Sequence, residues 1–210
     1  MSIFDFFKKA ENTQTPTGPV AFLVVGLGNP GKEYLYTRHN TGFLTLDYIA
    51  ERLSVTVNRA KFNALTADAV IGGNRVLLIK PQTYMNESGV AVRQAADFYK
   101  IPTEHIIVIS DDISLPVGMM RVRRSGSDGG QKGLRSIIAH LGSDKFPRLR
   151  IGVGEKPHPD YPLADWVLSE FTKEEQKVLF DEFGTAMSGI EKMIAGDFDS
   201  AMMICNGKKH

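Results

Sequence analysis

VVGLGNPGKEYLYTRHN, residues 24–40, is the stretch whose reading decides the fold. The apolar run Phe22, Leu23, Val24, Val25 has the character of a buried strand and stops at Gly26. A turn rich in Gly, Asn and Pro follows, then His39, flanked by Arg38 and Asn40. Asn29 and His39 therefore lie just past the carboxyl end of a strand, where open α/β sheets place their sites. Gly26, Gly28 and Gly31 also satisfy G-x-G-x-x-G, the dinucleotide fingerprint. That site needs a helix starting at the last glycine, its N–H groups facing a pyrophosphate. Here Pro30 precedes Gly31, and helical apolar spacing (Phe43, Leu46, Ile49, Ala50, Leu53) starts only near Phe43. The acid expected about 20 residues further on is missing, because Asp47 and Glu51 fall inside the helical pattern. The nicotinamide reading is set aside, and a tight glycine turn without a ligand remains the plain alternative to a site.

Outward from this stretch, strands are expected at residues 21–27, 64–71, 75–79, 106–110, 118–123 and 148–153. Helices are expected at about 41–53, 86–99, 130–141, 173–195 and 197–205. The alternation implies an α/β fold: a single domain with a twisted, mostly parallel (mixed) central sheet and helices on both faces. Residues 21–205 are expected to form that single α/β domain. Residues 1–20 read as an appendage, with Ile3, Phe4, Phe6 and Phe7 in one helical turn and ENTQTPTGP as a linker. The single cysteine, Cys205, excludes an intrachain disulfide and a cysteine metal cluster and is expected to be buried. No apolar run approaches the roughly 18 residues of a membrane span. The start MSIFDFFKKA lacks a signal-peptide layout, since its lysines follow the apolar residues. A cytoplasmic location is expected.

The net charge of +1 hides a segregation. Residues 119–150 carry eight bases against two acids, and residues 160–199 carry ten acids against three bases. The basic segment (Arg121, Arg123, Arg124, Lys132, Arg135, Lys145, Arg148, Arg150) suits a local polyanion contact. A solvated face paired with the acidic segment explains the same charges equally well.

Five places are candidates for chemistry. Asn29 and His39 form the first. The second is PQTYMNESG, with Met85 and Asn86 where a loop enters a helix; Asn86 suits an N-cap as well as a site. In ISDDISLPVG, the third, Asp111 and Asp112 end a buried strand and point to the crevice, or else serve as turn acids. The fourth, SGSDGGQKG (residues 125–133), makes a phosphate cradle conceivable but lacks the Gly-Lys-Ser/Thr ending of a P-loop. GEKPHPDYP, the fifth, reads as a mobile lid, with His158 as loop decoration. There is no G-x-S-x-G elbow and no histidine pair with metal-helix spacing. One histidine, carboxylates from another strand end and asparagines from two loops suit direct hydrolysis of an activated ester. A histidine takes the proton from water, a carboxylate fixes its tautomer, and amide donors stabilise the oxyanion.

GLGNPGKEYLYTRHNTGF, KPQTYMNESG, SDDISLP, GGQKGLRSII and FPRLRIGVGEKP resemble, in order and approximate spacing, the motif series of bacterial peptidyl-tRNA hydrolases. The resemblance covers about residues 22–200. It implies a monomeric, cofactor-free α/β enzyme that cleaves the ester between a peptide and the 3′ end of tRNA. His39 resembles the general base and Asp111 the carboxylate that orients it. Asn29 and Asn86 resemble the amides that hold the peptide main chain, and Tyr34 and Met85 resemble site-lining residues. Arg123 and Arg150, with Arg121 beside them, fall where tRNA phosphates are met. In the glycine loop the family commonly carries His-Asn, whereas this chain has Gln131-Lys132. Gln131 offers an amide and Lys132 a donor for the peptide site; Lys132 cannot accept a hydrogen bond. The competing reading is a catalytically silent RNA-binding module on the same scaffold.

Overall fold

The computed structural model describes residues 16–207. The turn expected at Ile3, Phe4, Phe6 and Phe7 lies outside the described residues. In chain order the elements are β1 (Phe22–Gly26), α1 (Thr41–Arg52), β2 (Arg59–Lys61), β3 (Ala64–Ile71), β4 (Asn74–Pro81), α2 (Ser88–Tyr99) and β5 (Ile106–Asp112). They continue with β6 (Met120–Arg123), α3 (Lys132–Leu141), β7 (Arg148–Gly152), α4 (Leu163–Leu168), α5 (Lys173–Ile194) and α6 (Phe198–Cys205). The seven strands make one mixed sheet in the order β2-β3-β4-β1-β5-β7-β6. β4, β1, β5 and β7 run parallel, and β2, β3 and β6 add antiparallel edges.

The central strands read as nearly unbroken apolar runs because both of their faces are covered. Leu23, Val25, Leu77 and Val108 pack under α2 and α3 with Ala91, Val92, Leu134 and Ile137. Val24, Leu78, Ile107 and Ile109 pack under α1, α5 and α6 with Leu46, Ile49, Phe183 and Ala201. Burying each such aliphatic side chain is worth about 1.5–3 kcal/mol. Cys205 is buried in the second of these layers. No helix among the described residues is long and apolar enough to cross a membrane.

β1 lies between β4 and β5, with Leu23 opposite both Leu77 and Ile106. The chain leaves β1 toward β4 and later returns to the other side at β5, so a crevice opens at the carboxyl ends of these strands. The first turn of α1 sits on those ends: the Leu27 amide donates to the Ile109 carbonyl (3.0 Å) and the Phe43 amide to the Leu27 carbonyl (3.1 Å). Only glycine permits this approach, since a Cβ at Gly42 would fall 2.5 Å from the Ile109 oxygen and closer still to the Leu27 nitrogen.

Two elements depart from the sequence expectation. β2 is three residues, Arg59, Ala60 and Lys61, paired to Ala64–Thr66, too short and too charged to register as a strand on its own. α4 follows directly on the expected lid, whose last proline, Pro162, is its N-cap. A boundary also moves. Met85–Glu87 form a 3-10 turn and α2 begins at Ser88 after Glu87, with no side-chain cap bond. Asn86 is therefore not an N-cap, because the tighter turn places it one residue inside the entry.

Candidate active site

His39 sits in a 3-10 turn, Arg38–Asn40, directly ahead of α1. Its ring Nδ1 lies 2.8 Å from Asp111 Oδ2, from the end of β5. Both residues are buried, His39 at 9% and Asp111 at 5% exposure. A carboxylate accepts, so Nδ1 carries the hydrogen, and a neutral ring so held has its lone pair at Nε2. Two residues 72 positions apart in the chain thus form one hydrogen-bonded pair.

The turn is held from both sides. Asn40 Oδ1 accepts the Asn29 amide (2.9 Å), and Asn40 Nδ2 donates to the Asn29 carbonyl (3.0 Å). Arg38 is 3% exposed and donates to the Val153 carbonyl (2.8 Å), Ser169 Oγ (3.2 Å) and both oxygens of Glu175 (3.1 and 2.8 Å). Its guanidinium also lies 3.8 Å from the centre of the Trp166 ring. Burial pushes Glu175 up, but hydrogen bonds from Arg38 and Thr172 with the Arg38 charge outweigh it and hold the carboxyl below its usual range. The same carboxylate closes a capping box with Thr172 at the start of α5.

Asn29 Oδ1 accepts the Met85 amide at 2.8 Å, which ties the β1 turn to the start of the 85–87 turn. That bond fixes the amide orientation and leaves Nδ2 as its free donor. Met85 is buried beside it. The glycine loop arrives from β6. Buried Arg148 donates to its Gly126 and Ser127 carbonyls (2.7 and 3.0 Å), so these two carbonyls turn onto a guanidinium. Asp128 accepts the Gly130 amide (2.6 Å) and pairs with Arg135. The Arg135 and Gly130 hydrogen bonds hold the Asp128 carboxyl below its usual range. Gln131 then caps α3: its Oε1 accepts the Leu134 amide (2.8 Å), and its Nε2 donates to Asp111 Oδ1 (2.9 Å).

These groups border a cavity of about 410 Å³. Asn29, His39, Met85, Asn86, Asp111, Gln131, Lys132 and Arg150 all lie on its wall. Of the eight, the Asn86 side chain and the Lys132 ammonium carry no hydrogen bond or ion pair among the described residues. Tyr34, expected to line the site, is not on this wall; it lies half-buried in the 32–34 turn, where its carbonyl accepts from Thr37. Besides Met85, the apolar wall includes Tyr84, Ile113, Leu134 and, from α4, Leu163, Ala164, Val167 and Leu168, none of which sequence reading singled out. The α4 residues are spaced as a helical stripe, hidden by the prolines ahead of it. Asn40 was also missed as a functional support, although it adjoins His39.

Arg150 is paired with Asp112 (Nε to Oδ2, 2.9 Å) at the cavity wall. On the adjacent β6 edge strand Arg121 stands opposite Arg150 and Arg123 opposite Arg148. Side chains alternate along a strand. Met120 and Val122 point into the core, so Arg121 and Arg123 share the other sheet face with Arg150. The face is a basic stripe running from the cavity to the sheet edge. Among the described residues no group of three or more His, Cys, Asp or Glu has a metal-binding arrangement.

The family model described as peptidyl-tRNA hydrolase matches residues 23–210. A peptidyl-tRNA hydrolase from Clostridium botulinum (strain Alaska E43 / Type E3) is 49% identical over 188 residues, covering 90% of this chain and 97% of that protein. One from Lachnospira eligens is 47% identical, covering 89% of this chain and all of the relative. The crystal structure of peptidyl-tRNA hydrolase from Acinetobacter baumannii superposes with a TM-score of 0.84 at 34% identity, covering 92% of this chain and 98% of the other.

Proposed function

The chain belongs to the peptidyl-tRNA hydrolase family, and on that premise we propose that its cavity hydrolyses the peptide–tRNA ester by water activated at His39. The observation that carries this reading is the buried His39–Asp111 hydrogen bond at the cavity wall. Asp111 holds the tautomer in which Nε2 takes a proton from water, and its charge stabilises the imidazolium that results. No acyl-enzyme is required. The protonated ring then supplies a proton to the departing 3′ oxygen of the tRNA.

Asn29 Nδ2, Asn86 and Lys132 surround the reacting carbonyl and its neighbouring peptide bond. Fixed donors aimed at developing negative oxygen stabilise the transition state more than the ground state. The stripe of Arg121, Arg123 and Arg150 binds the tRNA phosphates, which sets register without reading sequence. An ester on an N-blocked aminoacyl group is preferred over a free aminoacyl ester, because the amides bind the peptide group that only the former carries.

The test compares purified wild type with His39→Ala on N-acetyl-aminoacyl-tRNA. Wild-type release of the blocked amino acid, lost by at least about a thousandfold in the variant with an unchanged Tm, supports the reading. Full turnover by His39→Ala removes the base. Salt-sensitive RNA binding by the wild type without any cleavage returns the chain to a silent binding module.

A further inference from the structure

We infer that Gln131 is a positioning residue: its amide locks the carboxylate of Asp111 and through it aims His39. This rests on the roles proposed above for His39 and Asp111. Asp111 has one donor on each oxygen, His39 Nδ1 on Oδ2 at 2.8 Å and Gln131 Nε2 on Oδ1 at 2.9 Å. The torsion that turns a carboxylate is broad, so one hydrogen bond leaves the plane free to swing. The second bond removes that freedom, and the imidazole can no longer drift with it.

The amide is oriented by the helix it begins. Oε1 accepts the Leu134 N–H at 2.8 Å. A flipped amide would set a donor against that N–H and an acceptor against Asp111. The backbone behind it is fixed too, since the Gln131 amide donates to the Asp128 carbonyl (3.0 Å). Glutamine is not one of the favoured N-cap residues; Ser or Asn satisfies the same N–H with a shorter side chain. The added length is what carries Nε2 to Asp111 and to within 3.2 Å of Met85 Sδ. With both ends of the amide engaged, Gln131 holds the machinery, and its neighbour Lys132 is left to meet substrate.

The discriminating variant is Gln131→Ser, which keeps a good cap for α3 but cannot reach Asp111. Other charged groups around the pair stay in place: Asp112 with Arg150, Asp128 with Arg135, Lys132 on the wall and Arg38 beneath. On N-acetyl-aminoacyl-tRNA, Gln131→Ser lowers kcat by about tenfold or more while KM stays within about twofold. Without its second donor the carboxylate holds the imidazolium more strongly, so the acidic limb of the kcat/KM profile moves to higher pH. The Tm stays near wild type. Gln131→His, which restores an N–H donor, recovers most of kcat. The proposal is overturned if Gln131→Ser keeps the wild-type kcat and pH profile, or if its loss follows a fall in Tm with the acidic limb unmoved. Wild-type turnover by His39→Ala in the same series would instead overturn the base assignment itself.

Discussion

Asn29 shows how much one amide can be asked to do. Its oxygen accepts the Met85 N–H, so the donor end is the part available to substrate. Asn29→Asp separates the two roles: a carboxylate oxygen still accepts from Met85, but the donor is replaced by a charged acceptor on the wall that Asp111 also lines. The expected result is a fall in kcat/KM of roughly a hundredfold, about 3 kcal/mol, with little change in Tm. Steady-state kinetics beside a thermal melt measures both. The cavity positions of Asn29 and Asp111 were legible because each lies at or just past the end of an apolar strand run, whereas His39 is 13 residues past β1, in the turn ahead of α1. Gln131 was read as a substrate-binding amide because nothing in a spacing of 20 residues tells that its side chain meets Asp111.

At the scale of elements, α4, α5 and the His39 turn are joined through Arg38. Its guanidinium bonds Ser169 and Glu175 and stacks on Trp166, and the Thr37–Glu170 bridge lies alongside. Glu175→Gln keeps an oxygen for the Thr172 cap and removes the charge that balances buried Arg38. Leaving that cation unpaired costs about 2–3 kcal/mol after allowing for the partial exposure of Glu175, a Tm drop of roughly 5 °C or more. Because Glu175 is held below its usual range, its contribution is complete above about pH 4.3 and is lost as pH falls through the lowered value. The gap in Tm between wild type and Glu175→Gln therefore narrows below about pH 4, which melts across a pH series would show. Long periodic helices such as α5 and apolar strands such as β5 were readable. β2 was not, because its three residues, two of them charged, become a strand only by pairing with β3.

Over the whole molecule, the two charged segments part company. Arg121, Arg123 and Arg150 lie on one face of the sheet, and the acid-rich α5 packs against the other. Arg124–Asp199 at 3.6 Å is a loose, exposed link between them. The basic face is therefore not neutralised by the acidic segment, as the alternative reading of the charges had it. We expect KM for tRNA substrates to rise steeply with salt, and Arg123→Gln to lower the log–log slope by about one while kcat at saturation holds. Strand order itself was not legible, since periodicity reveals a strand but not its neighbours. That order has a consequence in time. Arg38 reaches groups 115 to 137 residues downstream, and His39 finds its acid 72 residues downstream. While this polypeptide is being synthesised it is itself esterified to a tRNA, the very bond its finished form attacks. The half-made chain holds a histidine with neither partner nor strut, so a nascent copy completes this arrangement only once residue 175 has been made.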